Sequence, residues 1–170
     1  VRVLLDGVPE TEPDGRTSFD NIDLAAIQSV EVVRSNASAL WGNAAGGVVS
    51  LSTVSDDDRG YASLGNMMGG FGLRRSNVRA GAAVGSGRLA LSFVNTDFDG
   101  WRAHSGSRRS VLNLSAVAPI GSRTRINVFV VASHNSFRIP GPLTRSQADS
   151  APSQSNATYL QRDERRDNRL

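Results

Sequence analysis

Between residues 61 and 133 the chain alternates apolar and polar side chains in five successive runs, and its arginines follow that alternation. The runs cover 61–68, 75–84, 88–96, 109–117 and 124–133. In the second, Val78, Ala80, Ala82 and Val84 share one parity, and Arg75, Asn77 and Arg79 the other. Leu89, Leu91 and Phe93 oppose Arg88, Ser92 and Thr96 in the third, and Leu112, Leu114 and Ala116 oppose Arg109, Asn113 and Ser115 in the fourth. In the fifth, Ile126, Val128, Val130 and Ala132 oppose Arg125, Asn127 and Ser133. Successive side chains of a strand point to opposite faces, so each Arg inside a run stands opposite the apolar stripe. Arg74 and Arg108 have the other parity, but each sits at the end of a run.

The runs match the ~9–11 residues that a tilted strand needs to cross a bilayer. An Arg facing lipid at mid-depth costs roughly 2–4 kcal/mol, a penalty that fades towards the interfaces. Connections alternate in size: 85–87 and 119–122 are short, while 99–108 and 134–160 are long. Short turns on one rim and long loops on the other are the pattern of outer-membrane barrels. A soluble antiparallel sheet is also apolar on one face, but nothing in it demands that asymmetry. The first run alternates poorly, and Phe129 and Val131 place apolar bulk on the polar side of the fifth. In a barrel with something folded inside, those two would pack on the contents. Residues 161–170 are expected to begin a sixth strand.

Residues 1–55 have a different character, that of a small mixed α/β unit. A β run over 1–5 closes at Asp6 and Gly7, a turn signal. A polar loop follows over 10–20, then a short helix over 24–28 with Asp23 as its N-cap. Val30, Val32 and Val33 mark a second strand, Ser38 caps a helical turn reaching Trp41, and Gly42 ends it. Gly46 and Gly47 open a third strand over 48–54. The charged stretch 56–60 reads as a hinge, and 61–170 as the strand-rich part. The fold class is therefore mainly β: a partial transmembrane antiparallel barrel, about five strands long, preceded by part of a small α/β domain.

Several function classes are disfavoured. All 19 basic residues are Arg, yet the net charge is only +3 and the arginines are scattered, which speaks against a nucleic-acid stripe. Without Cys there are no disulfides, thiolate metal sites or cysteine nucleophiles. Asp56, Asp57 and Asp58 have no nearby His, and no elbow motif ties Ser, His and Asp together, so neither a metal nor an enzyme is expected. No run is long and apolar enough for a spanning helix, which leaves barrels untouched.

The stretch from Val30 through Trp41 to Gly42, and the double glycine before Val48, Val49 and Ser50, resemble the plug domain of TonB-dependent outer-membrane receptors. Ser35 and Asn36 stand where that family usually has Gly-Pro, and Trp41 where it often has Tyr. Val3 to Pro9 is similar to the plug strand before the apical loop, and Pro142 to Gln147 weakly resembles a loop of ferric-siderophore-type receptors. The resemblance implies a barrel of about 22 strands with the plug inside. It further implies a Gram-negative outer-membrane location, TonB as partner, and a scarce nutrient chelate, typically a ferric siderophore, as transported ligand. The TonB-binding segment is expected outside this chain. A soluble β-rich binding or adhesion module is the alternative.

The resemblance also suggests sites. The loop holding Arg16 and Phe19 corresponds to a plug apex, where Arg16 would meet an anionic chelate and Phe19 would stack on it. Trp101 and His104 fall in an extracellular-type loop, where Trp101 could equally be an interfacial anchor. Glu31 and Arg34 lie in the strand resembling the family's charged lock and are expected to form polar plug–barrel contacts. Gly42, Gly46 and Gly47 are expected to serve backbone geometry. The missing Lys rules out a phosphate loop.

Overall fold

A computed structural model describes residues 1–11, 15–17, 19–34, 36–42, 44–53, 60–161 and 165–169. Of the stretch read as a hinge, only Gly60 lies among them.

The first sheet contains β1 (Arg2–Leu5), β2 (Val8–Pro9), β3 (Ser29–Val33) and β4 (Val48–Ser52), in the order β2-β1-β4-β3. Asp6 and Gly7 both have positive φ, 49° and 84°, the requirement of a two-residue hairpin turn joining β1 to β2. β1 runs parallel to β4, from Arg2 opposite Val48 to Leu5 opposite Leu51, while β3 is antiparallel to β4. β1 is buried on both faces, as continuous apolar runs in parallel pairs are. Val3, Leu5 and Leu51 join one cluster, and Leu4 and Val48 another with Ala37 and Ala44.

Two local expectations are corrected. Instead of a helix over 24–28 there are single 3₁₀ turns at Phe19–Asn21 and Leu24–Ala26. The Asp23 carboxylate is engaged by a distant arginine, and Gln28 N–H already donates to Ser52 O at 2.7 Å, so the segment is drawn into sheet pairing. The helical turn α1 (Ser38–Trp41) does form, but Asn36 Oδ1 accepts from Ser38 N–H while the Ser38 hydroxyl caps nothing.

The second sheet is an antiparallel meander of β5 (Tyr61–Met68), β6 (Arg74–Val84), β7 (Gly87–Phe98), β8 (Ser107–Ile120), β9 (Thr124–Phe137) and β10 (Arg165–Arg169). It is not closed; β5 and β10 are its edges. Several strands are longer than their sequence pattern. Pro119 and Ile120 still pair with Arg125 and Thr124, which shrinks the following turn to 121–123. The turns at 85–86 and 121–123 occupy one rim. The connections 69–73, 99–106 and 138–161 occupy the other, and the last carries α2 (Arg145–Ser150) and α3 (Ala157–Leu160).

Register fixes the two faces. Leu64, Val78, Phe93, Leu112 and Ala132 form one transverse row, and Ala82, Leu89, Ala116 and Val128 another. On the opposite face Arg79, Ser92, Asn113 and Val131 align, as do Ala83, Arg88, Val117 and Asn127. Leu64, Val78, Leu89, Phe93, Leu112 and Val128 are exposed on the apolar face. Five apolar rows, from Ile120 to Leu112, take up nine residues of β8. At ~3.3 Å per residue and ~45° tilt, that is a band about 21 Å tall, close to the ~25 Å lipid-facing band of an outer-membrane barrel.

Candidate functional site: the interface between plug and wall

The polar face of the large sheet is covered by the small sheet. Val94, Val111 and Val131 from β7, β8 and β9 share a buried cluster with Val3, Leu5, Ile22 and Leu51, and Phe129 packs against it. Phe129 and Val131, the apolar residues on the otherwise polar side of the fifth run, thus pack on the small unit.

Around this apolar patch the two sheets are joined by polar bonds. One transverse row of the large sheet holds Arg75, Thr96, Arg109 and Asn135. Three of its members grip the same turn. Arg75 Nη2 donates to Asp23 Oδ1 at 3.1 Å, with the Asp23 side chain fully buried and that of Arg75 31% exposed. Arg109 Nη2 donates to the carbonyls of Ile22 (2.5 Å) and Phe19 (3.2 Å). Asn21 Oδ1 accepts from Asn135 Nδ2 at 2.9 Å and from Ser133 Oγ at 2.8 Å.

A second polar junction lies three same-face rows nearer the short-turn rim, at Ser115. Asp6 Oδ1 accepts from Thr53 N–H at 2.8 Å, and its Oδ2 accepts from Thr53 Oγ1 at 2.6 Å and Ser115 Oγ at 3.2 Å. Thr53 Oγ1 and Ser115 Oγ are 2.8 Å apart. Beside this junction a cleft of about 950 Å³ opens between Asp6 and Ser52 on one side and Arg88, Arg125 and Asn127 on the other. The interface is a small apolar centre between two hydrogen-bonded ends. Such an arrangement fixes position while allowing exchange of its bonds for water.

The residues singled out from sequence are distributed as follows. Phe19 is about half exposed, and its carbonyl is held by Arg109 near the long-loop rim; Arg16 is exposed in the same loop. Trp101 and His104 lie in the 99–106 loop on that rim, His104 with a φ of 58°. The Arg102 guanidinium stands 5.9 Å from the Trp101 ring and donates to the carbonyls of Gly141 and Gln154, bracing this loop against the next. Glu31 and Arg34 are exposed, on and just after the edge strand β3, and bond no wall residue among those described. Gly42 has a φ of +68° and Gly47 of +107°; a Cβ on Gly47 would run into the Val33 carbonyl oxygen. Gly46 has ordinary φ and closely approaches Val1.

The sequence reading missed Asp6, Asn21, Asp23, Thr53, Arg75, Arg109, Ser115, Ser133 and Asn135 as interface residues. A signal was present: Arg75 and Arg109 belong to the polar parity at the start of their runs, where polar groups inside a filled lumen need partners; Asn135 lies in a stretch read as loop.

An open antiparallel sheet with an apolar outer face and a small α/β unit on its inner face is the arrangement expected of a barrel segment with a plug on its lumen side. Residues 1–48 match the family model described as the TonB-dependent Receptor Plug Domain. The fold is similar to that of the pyoverdine outer membrane receptor FpvA from Pseudomonas aeruginosa PAO1, solved bound to pyoverdine, with a TM-score of 0.64 and 18% sequence identity. That likeness covers 86% of this chain and 23% of the receptor, so the chain spans about a quarter of the relative's length. Residues 1–48 thus carry the plug-domain match, and the strands that follow share the fold of the wall such a plug sits in.

Proposed function

We propose that the whole protein carries a scarce nutrient chelate, a ferric siderophore, across the outer membrane of a Gram-negative bacterium, with energy supplied through TonB. The observation that carries this reading is the plug–wall interface, a small apolar patch flanked by hydrogen bonds from Arg75, Arg109 and Ser115. A fully apolar interface would hold the plug permanently, whereas a polar one can be opened and resealed. The plug match over 1–48 and the likeness to a siderophore-bound receptor support the same reading. Residues 1–55 are then plug, 56–60 the link, and 61–170 wall.

In this reading Arg16 and Phe19 contact the chelate from the plug apex, and Trp101 and His104 from the loop above. Trp101, His104 and the Phe19 carbonyl lie near the long-loop rim, the external side of such barrels. Glu31 and Arg34 meet wall strands beyond β10. Gly42, Gly46 and Gly47 hold the turns between α1 and β4. The cleft by Arg88 and Arg125 lies on the inward path of an anionic cargo.

The test is growth of a strain lacking the complete gene on individual ferric siderophores as sole iron source. The proposal expects loss of growth on one chelate, restored by the wild-type gene and not by a TonB-uncoupled copy. Unimpaired growth on every iron chelate, with the protein absent from outer-membrane fractions, would overturn it.

A further inference from the structure

Arg74 and Arg108, the two arginines of lipid-facing parity, are brought together with Asp97 in a single transverse row on the apolar face of the wall. That row lies two steps beyond the apolar row Val78, Phe93 and Leu112, towards the long-loop rim. The row between them is polar: Asn66, Ser76, Asn95, Ser110 and His134. A pocket of about 320 Å³ opens at the charged row, lined by Arg74, Arg108, Arg138, Asp97 and Asp99.

The site is internally braced. Ser110 Oγ donates to Asn95 Oδ1 at 2.7 Å, Asn95 Nδ2 to Asp97 Oδ2 at 2.9 Å, and Arg108 Nε to Asp97 Oδ1 at 3.2 Å. The Arg108 side chain remains 80% exposed. The neighbouring loop presents Phe71, exposed and with a φ of 55°, and its carbonyl ties down Asp99 N–H and Gly100 N–H. Met68, at the level of Arg74, is also exposed.

We propose that this pocket binds a phosphorylated lipid headgroup of the outer leaflet. The argument is one of depth and chemistry. Three guanidiniums stand just above an apolar band, where headgroups begin, and a guanidinium fork matches phosphate oxygens bidentately. Met68 and the band below receive the upper acyl chains. Asp97 orients Arg108 and leaves the pocket net cationic. The inference rests on the proposed membrane location.

The experiment uses the full-length receptor purified in detergent and native mass spectrometry. The probes are lipid A with both phosphates, dephosphorylated lipid A, and inorganic phosphate. Wild type is expected to retain the phosphorylated lipid over its dephosphorylated form, undisplaced by millimolar phosphate. The Arg74→Gln/Arg108→Gln variant should bind about 30-fold more weakly, from roughly one surface-charge increment per Arg. Arg138→Gln alone should show a smaller loss. Equal binding of the two lipid forms, or no loss in either variant, overturns the proposal, and displacement by inorganic phosphate reassigns the pocket to a free anion. Membrane fractionation and heat-modifiable mobility are read on the same samples. If they are normal while the lipid result fails, only the pocket assignment falls; if they fail, the membrane reading falls with it.

Discussion

Asp23 on the plug and Arg75 on the wall meet at 3.1 Å, with the carboxylate entirely shielded from solvent. The pair joins a loop turn to the second wall strand across 52 residues of chain. Asp23→Asn keeps the shape and removes the charge. Hydrogen bonds to charged groups contribute about 1.5–3 kcal/mol, so plug seating should weaken by that order. Hydrogen exchange on the full-length receptor would show it as faster exchange at the Ile22 and Ala26 amides, with the wall strands unchanged. Unchanged exchange at both amides would show that the pair does not seat the plug.

At the other end of the interface, Asp6, Thr53 and Ser115 form a three-residue junction. Ser115→Ala removes the wall's contribution and leaves the Asp6–Thr53 bonds intact, so a loss of about 1 kcal/mol is expected. Thr53→Val removes the hydroxyl shared by Asp6 and Ser115 and should have the larger effect. Limited proteolysis between plug and wall would read the order: wild type slowest, Ser115→Ala intermediate, Thr53→Val fastest.

The two adjacent glycines should respond differently. Gly47→Ala would hold a side chain at a φ of +107° and push its Cβ into the Val33 carbonyl, breaking the β3–β4 pairing. Positive-φ strain alone is of order 1–3 kcal/mol. Gly46→Ala meets only Val1 at 3.3–3.4 Å and should be mild. Comparing the folded, heat-modifiable fraction of the two variants in outer membranes separates them; equal yields would contradict the geometry.

What the sequence revealed and what it hid follow from the range of the forces involved. Alternation is local, so the wall strands, their faces and the unequal rims could be read directly. The positions of Arg79, Arg88 and Arg125 opposite Leu89, Leu112 and Val128 need only period-two geometry and correct register. The extra length of β8 was hidden because Pro119 resembles a turn residue yet pairs with Arg125. The plug–wall bonds were hidden for a different reason. Asp23 has the sequence context of a helix cap, and only the long-range approach of Arg75 makes it an ion-pair partner. Phe129 and Val131 break the pattern locally, and a filled lumen is the reading that accommodates them; Val3, Leu5 and Ile22 of the plug are what covers them.

The central claim is that one face of β7–β9 touches hydrocarbon and the other touches the plug. Single nitroxides placed in turn at 111–117 and 126–131 of the full-length receptor, in lipid bilayers, test it most directly. Oxygen accessibility should peak at Leu112, Leu114, Ala116, Val128 and Val130, and fall at Asn113, Ser115, Phe129 and Val131. Peaks at the second set, or accessibility without a two-residue period, would contradict the account.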